Sequence, residues 1–434
     1  MKSKKIVISM IIIALTAAFA GCSQKTESAV ADEPHVPAMT NKTAGDTFEA
    51  APDGYDGGDY DIAAPASADG YYDDAPGNTA PPATYDPSEV SKPESEPPRA
   101  GQLTAGVWSD NDNWGFFSNL VNTELISFPS YGIDPRFRTV INVKNSKGQP
   151  VVNAAVTLTG SDSKVIWKSV TDKNGCAYLF STEGISPVSA EIEFNGKKQT
   201  CEVLQPKNDN QSAVKSSDSV TEVTFDDGSE LYKKTDIMFI LDTTGSMSDE
   251  MLFLQSEFTA ITDKLGTENT RYAVNFYRDE GDEYVTNCHN FTDNIKELQA
   301  ALNAEEATGG GDMPEAVADI LKESVYNASW DDNSVKLAFL IFDAPPHKGT
   351  EETIAMTIKE ASAKGIHIIP VVSSNSERDT ELFGRALAIA TNGKYVFLTD
   401  DSGIGDSHLE PIIGYYEVQS LYDIIIDIVN EYKQ

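Results

Sequence analysis

The chain has 434 residues, with 33 Lys and Arg against 68 Asp and Glu and a formal net charge of −35. That balance excludes nucleic acid as a partner, because neutralising phosphates requires gathered Lys and Arg. Hydrophobic residues make up 40% and aromatics 9%, enough for two or three domains with real cores.

Lys2, Lys4 and Lys5 precede an apolar run, Ile6–Ala18, that is too short to read as a membrane-spanning helix. Phe19-Ala20-Gly21-Cys22 comes next and resembles the bacterial lipobox, with Phe19 where Leu is usual. The resemblance implies removal of residues 1–21, diacylation of Cys22 and a protein exported to the cell membrane or outer membrane. An ordinary secretory signal is the alternative, and it also takes the chain out of the cytoplasm. No later stretch approaches the ~20 apolar residues of a span, so the membrane contact is the N-terminal lipid.

Residues 22–100 are rich in Pro, Ala, Gly, Ser, Asp and Tyr, with imperfect repeats such as Asp53-Gly54-Tyr55-Asp56 and Ala68-Asp69-Gly70-Tyr71. Low hydrophobicity and like charge predict a disordered tether, whose about 78 residues would reach roughly 50 Å. Beyond Cys22 stand Cys176, Cys201 and Cys288, an odd number that cannot all pair within one chain. A Cys176–Cys201 disulfide stays open beside the simpler reading of three small buried apolar residues.

Residues 101–135 form an aromatic-rich connecting segment. Asp110-Asn111-Asp112 starts like a calcium loop, but Trp114 stands at the third ligand and no Glu closes the loop, which excludes that site. Arg138–Val143, Val151–Thr159 and Cys176–Phe180 are predicted strands, separated by turns at Lys147-Gly148-Gln149-Pro150 and Thr171-Asp172-Lys173-Asn174-Gly175. They predict a small antiparallel β-sandwich over residues 136–205. Gly148-Gln149-Pro150 and Thr171-Asp172 with Gly175 resemble the carboxypeptidase regulatory-like domain, which implies a structural, spacing or partner-contact role. A linker over 206–233 comes after it.

From residue 234 onward, strands and helices alternate. Asp236-Ile237-Met238-Phe239-Ile240-Leu241-Asp242 and Val335–Asp343 read as strands buried on both faces, and so does the β-branched Ile366–Val372. Arg271–Tyr277 and Lys394–Leu398 are further predicted strands. Leu252–Leu265, Asn294–Leu302, Ala316–Tyr326, Thr380–Ala390 and Tyr416–Tyr432 carry helical spacing. The predicted fold is α/β, a doubly wound and mostly parallel sheet.

The first buried strand ends in Asp242-Thr243-Thr244-Gly245-Ser246. Its alternate residues Asp242, Thr244 and Ser246 bring one carboxylate and two hydroxyls to one loop. Such oxygens suit a hard divalent cation, and a helix cap is the competing local reading. Asp343 ends the second strand, and Thr308-Gly309-Gly310-Gly311-Asp312-Met313-Pro314-Glu315 lies between them, with Pro314 early in the next helix. In open α/β sheets this carboxyl edge is where ligands bind. The constellation resembles the von Willebrand factor type A domain and its metal-ion-dependent adhesion site. Asp242, Thr244 and Ser246 match its D-x-[ST]-x-S motif and Asp343 its distal aspartate, while its middle-loop threonine corresponds to Thr308 or Asp312. The resemblance implies a Rossmann-like fold holding Mg²⁺, with Mn²⁺ or Ca²⁺ as alternatives. An acidic group of a protein ligand would complete the cation's open position.

Enzyme motifs are missing. The glycine loop lacks a phosphate-cradling lysine, and there is no G-x-S-x-G elbow or H-E-x-x-H helix. Gly405-Asp406-Ser407-His408 lacks a downstream Asp-x-x-His, His347 reads as held by the Pro345-Pro346 turn, and Thr399-Asp400-Asp401-Ser402 reads as a solvated acidic loop, with a second cation site or a ligand rim as alternatives. The expected protein is therefore a non-enzymatic, surface-anchored and cation-dependent protein binder. A metal-independent envelope scaffold is the reading from another class.

Overall fold

The computed structural model describes residues 99–123, 125–127, 131–204, 220–226, 232–311 and 313–433. The signal, Cys22 and the tether as far as residue 98 lie outside the described residues, as does Asp312. Among the described residues no helix is long and apolar enough to cross a membrane.

Ile237–Leu241 and Leu337–Phe342 are apolar without alternation, and each of these side chains is at most 4% exposed. A strand covered on both faces demands that pattern. In chain order the strands are β1 (Thr104–Trp108), β2 (Arg138–Lys144), β3 (Ala155–Gly160), β4 (Val165–Val170), β5 (Cys176–Phe180), β6 (Pro187–Phe194), β7 (Lys197–Glu202) and β8 (Val220–Thr224). They continue with β9 (Lys234–Asp242), β10 (Thr270–Tyr277), β11 (Thr286–Cys288), β12 (Ser334–Phe342), β13 (Ile366–Val372), β14 (Tyr395–Leu398) and β15 (Gln419–Ser420). The helices are α1 (Trp114–Asn122), α2 (Met251–Leu265), α3 (Ile295–Ala304), α4 (Val317–Tyr326), α5 (Glu351–Lys364), α6 (Arg378–Thr391) and α7 (Leu421–Tyr432).

Eight strands make the central sheet in the order β11-β10-β9-β12-β13-β14-β1-β15. The run from β10 to β14 is parallel, and β11 and β1 pair antiparallel at its two ends. Successive residues of a strand face opposite sides. Met238, Ile240, Leu340 and Phe342 thus join α4, α5 and α6 in one apolar layer. Ile237, Phe239, Leu241, Phe339 and Ile341 join α2, α3 and α7 in the other. The sheet is doubly wound, and β9 and β12 lie side by side at its centre.

Thr104–Trp108, read from sequence as part of a connecting segment, is instead a strand of this sheet between β14 and β15. A buried ion pair fastens the chain just beyond this strand. Arg385, 0% exposed, meets Asp110 at 2.7 and 2.8 Å and Glu381 at 3.0 Å.

Strands β2 to β8 form two smaller sheets, β5-β2-β8 and β4-β3-β6-β7. Their pairing is antiparallel except that β2 and β8 run parallel, so the expected all-antiparallel arrangement is corrected at that pair. The eighth strand also lies inside the stretch taken as linker. The four-stranded sheet rests on α5, where Trp167 Nε1 donates to Ser362 Oγ at 3.0 Å. Gly365 ends α5 with φ +65, and a Cβ there would lie 2.6 Å from Val170. Cys176, Cys201 and Cys288 are all free, the first two half-buried and Cys288 exposed, so neither the disulfide nor full burial is found.

Candidate metal centre

Strand β9 delivers Asp242 at its final position, where it is fully buried. Its Oδ1 accepts from the Thr244 peptide N–H at 2.9 Å and the Thr244 hydroxyl at 2.7 Å. Thr244 Oγ1 lies 3.2 Å from Ser246 Oγ, so the three alternate side chains do converge. Thr243 turns away and bonds Tyr277 O and Tyr284 Oη at 3.0 and 2.8 Å. Asp242 Oδ2 is buried with no partner in hydrogen-bond geometry, although the buried Tyr277 hydroxyl interacts with the same carboxyl. Strand β12 brings Asp343 to the same edge, 3% exposed, and its Oδ1 is equally unpartnered. Burial raises both carboxyls, Asp242 to about 6 and Asp343, beside the charge of Asp242, to about 7.

Of the two middle-loop candidates, Asp312 lies outside the described residues. Thr308 uses its peptide N–H to bond Thr243 O at 3.0 Å, and its side chain is exposed. It is not part of the cluster. The chain then runs through Gly309, whose carbonyl accepts from Gly245 N–H at 3.2 Å. Gly310 has φ +69, and a Cβ there would sit 2.8 Å from Glu315 Oε1 and 3.2 Å from Thr244 Cβ. Only glycine lets this backbone pass the two side chains.

Glu315 is the buried carboxylate at this edge that sequence reading did not single out. Pro314 does not begin the helix, which starts at Val317. Glu315 instead lies in an extended bridge to Pro346, with its N–H donating to Pro345 O at 3.0 Å. Its side chain is 3% exposed and Oε2 has no partner. Burial, with the charges of Asp242, Asp279 and Asp343 adding to it, pushes the carboxyl up to about 9. The available signal was an acid immediately after proline in a glycine loop opposite two other acids.

Other groups brace these loops. Asp282 Oδ2 accepts from Gly310 N–H at 2.8 Å and Asp279 N–H at 3.0 Å, and Asp279 Oδ1 meets His347 Nε2 at 2.5 Å. His347 is thereby engaged away from the cluster. Glu250, fully buried, accepts from Ser374 N–H at 3.0 Å and pairs with His408 Nε2 at 3.2 Å. His408 Nδ1 meets Asp400 Oδ1 at 2.8 Å. The Gly405-Asp406-Ser407-His408 segment is thus a strap tied to Glu250.

A cleft of about 320 Å³ opens over Thr244, Ser246, the three glycines, Glu315 and Asp343. Three buried, unpartnered carboxylate oxygens from three loops are expensive unless a proton or cation meets them. All are hard donors of the kind Mg²⁺, Mn²⁺ and Ca²⁺ accept. Among the described residues no group of three or more His, Cys, Asp or Glu is gathered closely enough to hold a metal ion. The Thr244 and Ser246 hydroxyls add two further oxygens at the same edge.

The sequence profile of the von Willebrand factor A domain matches residues 236–405. A putative ariadne-like RING finger protein, R811 of Acanthamoeba polyphaga mimivirus, is 26% identical over 186 residues. The match covers 38% of this chain and 18% of that protein, so the chain spans less than a fifth of the relative's length. The doubly wound sheet and the profile agree, and residues 236–405 of this chain are a von Willebrand factor A domain.

Proposed function

We propose that the protein holds a divalent cation between β9, β12 and the glycine loop and captures a protein partner through it, outside the cytoplasm. The observation that carries this reading is the set of unpartnered oxygens, Asp242 Oδ2, Asp343 Oδ1 and Glu315 Oε2, at 0%, 3% and 3% residue exposure. With Thr244 and Ser246 they form a donor set for Mg²⁺ first, and for Mn²⁺ or Ca²⁺ as alternatives. When bound, the cation supplies an open coordination position for an acidic group on the partner. The chain's own residues orient that position: Thr244 fixes Asp242, and the Pro345 carbonyl fixes Glu315.

The reading includes a lipid anchor at Cys22, supported by the residues of the N-terminal signal. It also includes the absence of catalysis. His347 and His408 are each occupied by carboxylates that brace loops. The test is capture of envelope proteins from detergent extracts by the full chain, with and without EDTA, beside Asp242→Ala. Capture lost with EDTA and in the variant supports the cation-bridged partner. Capture indifferent to both would replace it with the metal-independent scaffold.

A further inference from the structure

At the opposite edge of the sheet, the amino-terminal ends of β12 and β13 border a second cavity of about 470 Å³. It lies between the central sheet and the turn after β4, and the ends of α5, α6 and α7 also line it. The volume is that of a small-molecule site, and seams between packed modules are where such sites occur.

The alternation along β12 places Ala338, Leu340 and Phe342 in the apolar layer under α5, and Lys336 falls on the same face. Lys336 is 6% exposed. Its Nζ has one acceptor, the Ser334 carbonyl at a long 3.3 Å, and stands 5.8 Å from the Tyr232 ring centroid. The neighbouring cations are already paired. Lys394 holds Asp112 and Glu431 at 2.9 and 3.3 Å, Lys173 holds Glu431 at 3.2 Å, and Lys364 holds Glu360 at 3.3 Å. Asp236, the sheet partner of Lys336, is saturated by Arg271, the Asp331 N–H and the Ser334 hydroxyl. Among the described residues Lys336 therefore makes no ion pair, in a chain where acids outnumber bases 68 to 33.

The remaining walls combine the acids Asp172 and Asp332 with flat rings. Trp330 lines the cavity with its indole N–H already spent on Ser324 O. Tyr432 and His367 stack with ring centroids 4.6 Å apart. His367 Nδ1 faces the Thr391 carbonyl at 2.9 Å and must donate there, which leaves Nε2 as the lone-pair nitrogen. A buried ammonium with Asp332, Asp236 and Asp331 nearby but no carboxylate in ion-pair contact keeps N–H donors for an anion, and the aromatic walls suit a planar body.

We propose that this cavity binds a small organic anion whose carboxylate or phosphate group pairs with Lys336 and whose planar part lies among Tyr232, Trp330 and Tyr432.

The test titrates the full chain with benzoate and, separately, with inorganic phosphate, read by calorimetry and by tryptophan fluorescence. The expected result is saturable binding of benzoate that weakens at least about tenfold in Lys336→Met. Lys336→Arg, which keeps the charge, should bind within a few-fold of the native chain and separates loss of the contact from loss of the fold. Asp242→Ala should bind as the native chain does. Saturation by phosphate at the same Lys336-dependent site assigns a phosphate group rather than a carboxylate. Absence of saturation by either probe below about 10 mM, or equal affinity in Lys336→Met, overturns the proposal.

Discussion

The peptide N–H of Glu315 donates to the carbonyl of Pro345 at 3.0 Å, and this bond brings the glycine loop against the end of β12. It places a third buried carboxylate opposite Asp242 and Asp343. In the proposed cation site Glu315, and not Thr308, then supplies the middle side among the described residues. Glu315→Gln keeps the shape of the side chain and removes its charge, and should weaken Mn²⁺ binding by at least about tenfold. Thr308→Ala should stay within about twofold, since the exposed side chain contributes nothing to the cluster. Calorimetric titration of the two variants checks the pair.

Gly310 carries the close approach of the loop to Glu315 and Thr244. Gly310→Ala meets both a positive φ of 69 and a Cβ position 2.8 Å from Glu315 Oε1. We expect a loss of about 1–3 kcal/mol in stability and a weaker cation site. Denaturant unfolding and metal titration of the same variant should move together. A variant that binds metal normally would show that the loop is free to give way.

Glu257 on α2 supplies a pH dependence away from the metal centre. It is 2% exposed, its Oε1 accepts from Gly101 N–H at 2.8 Å, and Oε2 has no partner. Burial pushes its carboxyl from 4.5 up to about 7. Between those values the folded protein keeps a proton that the unfolded chain has released, so its contribution to stability falls as pH rises through that window. Glu257→Gln should match the native chain near pH 4 and exceed it by about 2–3 kcal/mol near pH 8. A difference independent of pH would contradict the assignment.

The pair of Asp110 and Arg385 tests how firmly the amino-terminal segment belongs to the central sheet. Both side chains are at most 1% exposed. Asp110→Ala leaves a buried guanidinium with Glu381 and the Ile412 carbonyl, and should cost about 3–5 kcal/mol. Thermal melting reads the loss, and a change below about 1 kcal/mol would mean that β1 docks without this anchor.

How much could be read from the residues alone depends on the range of the interactions involved. Asp242, Thr244 and Ser246 are neighbours in one loop, and Asp343 ends an apolar run, so local pattern was enough to bring them together. Glu315 depends on a bridge to Pro346 thirty-one positions away, and after a proline it reads as the first turn of a helix. Helix α5 escaped notice because its buried side is Ile354, Thr357, Ile358, Ala361 and Ser362, with too few large apolar residues to mark a stripe. Strand β1 finds its partner β14 some 290 positions later, in register from Ala105 with Leu398. Nothing near Thr104 in sequence announces that pairing.

The most direct test of the metal centre is calorimetric titration of Mg²⁺, Mn²⁺ and Ca²⁺ into the native chain and into Asp242→Ala. Saturable binding of at least one of these ions in the native chain, lost in Asp242→Ala, is the predicted result. Identical behaviour of the two proteins toward all three ions would contradict a cation site built on Asp242.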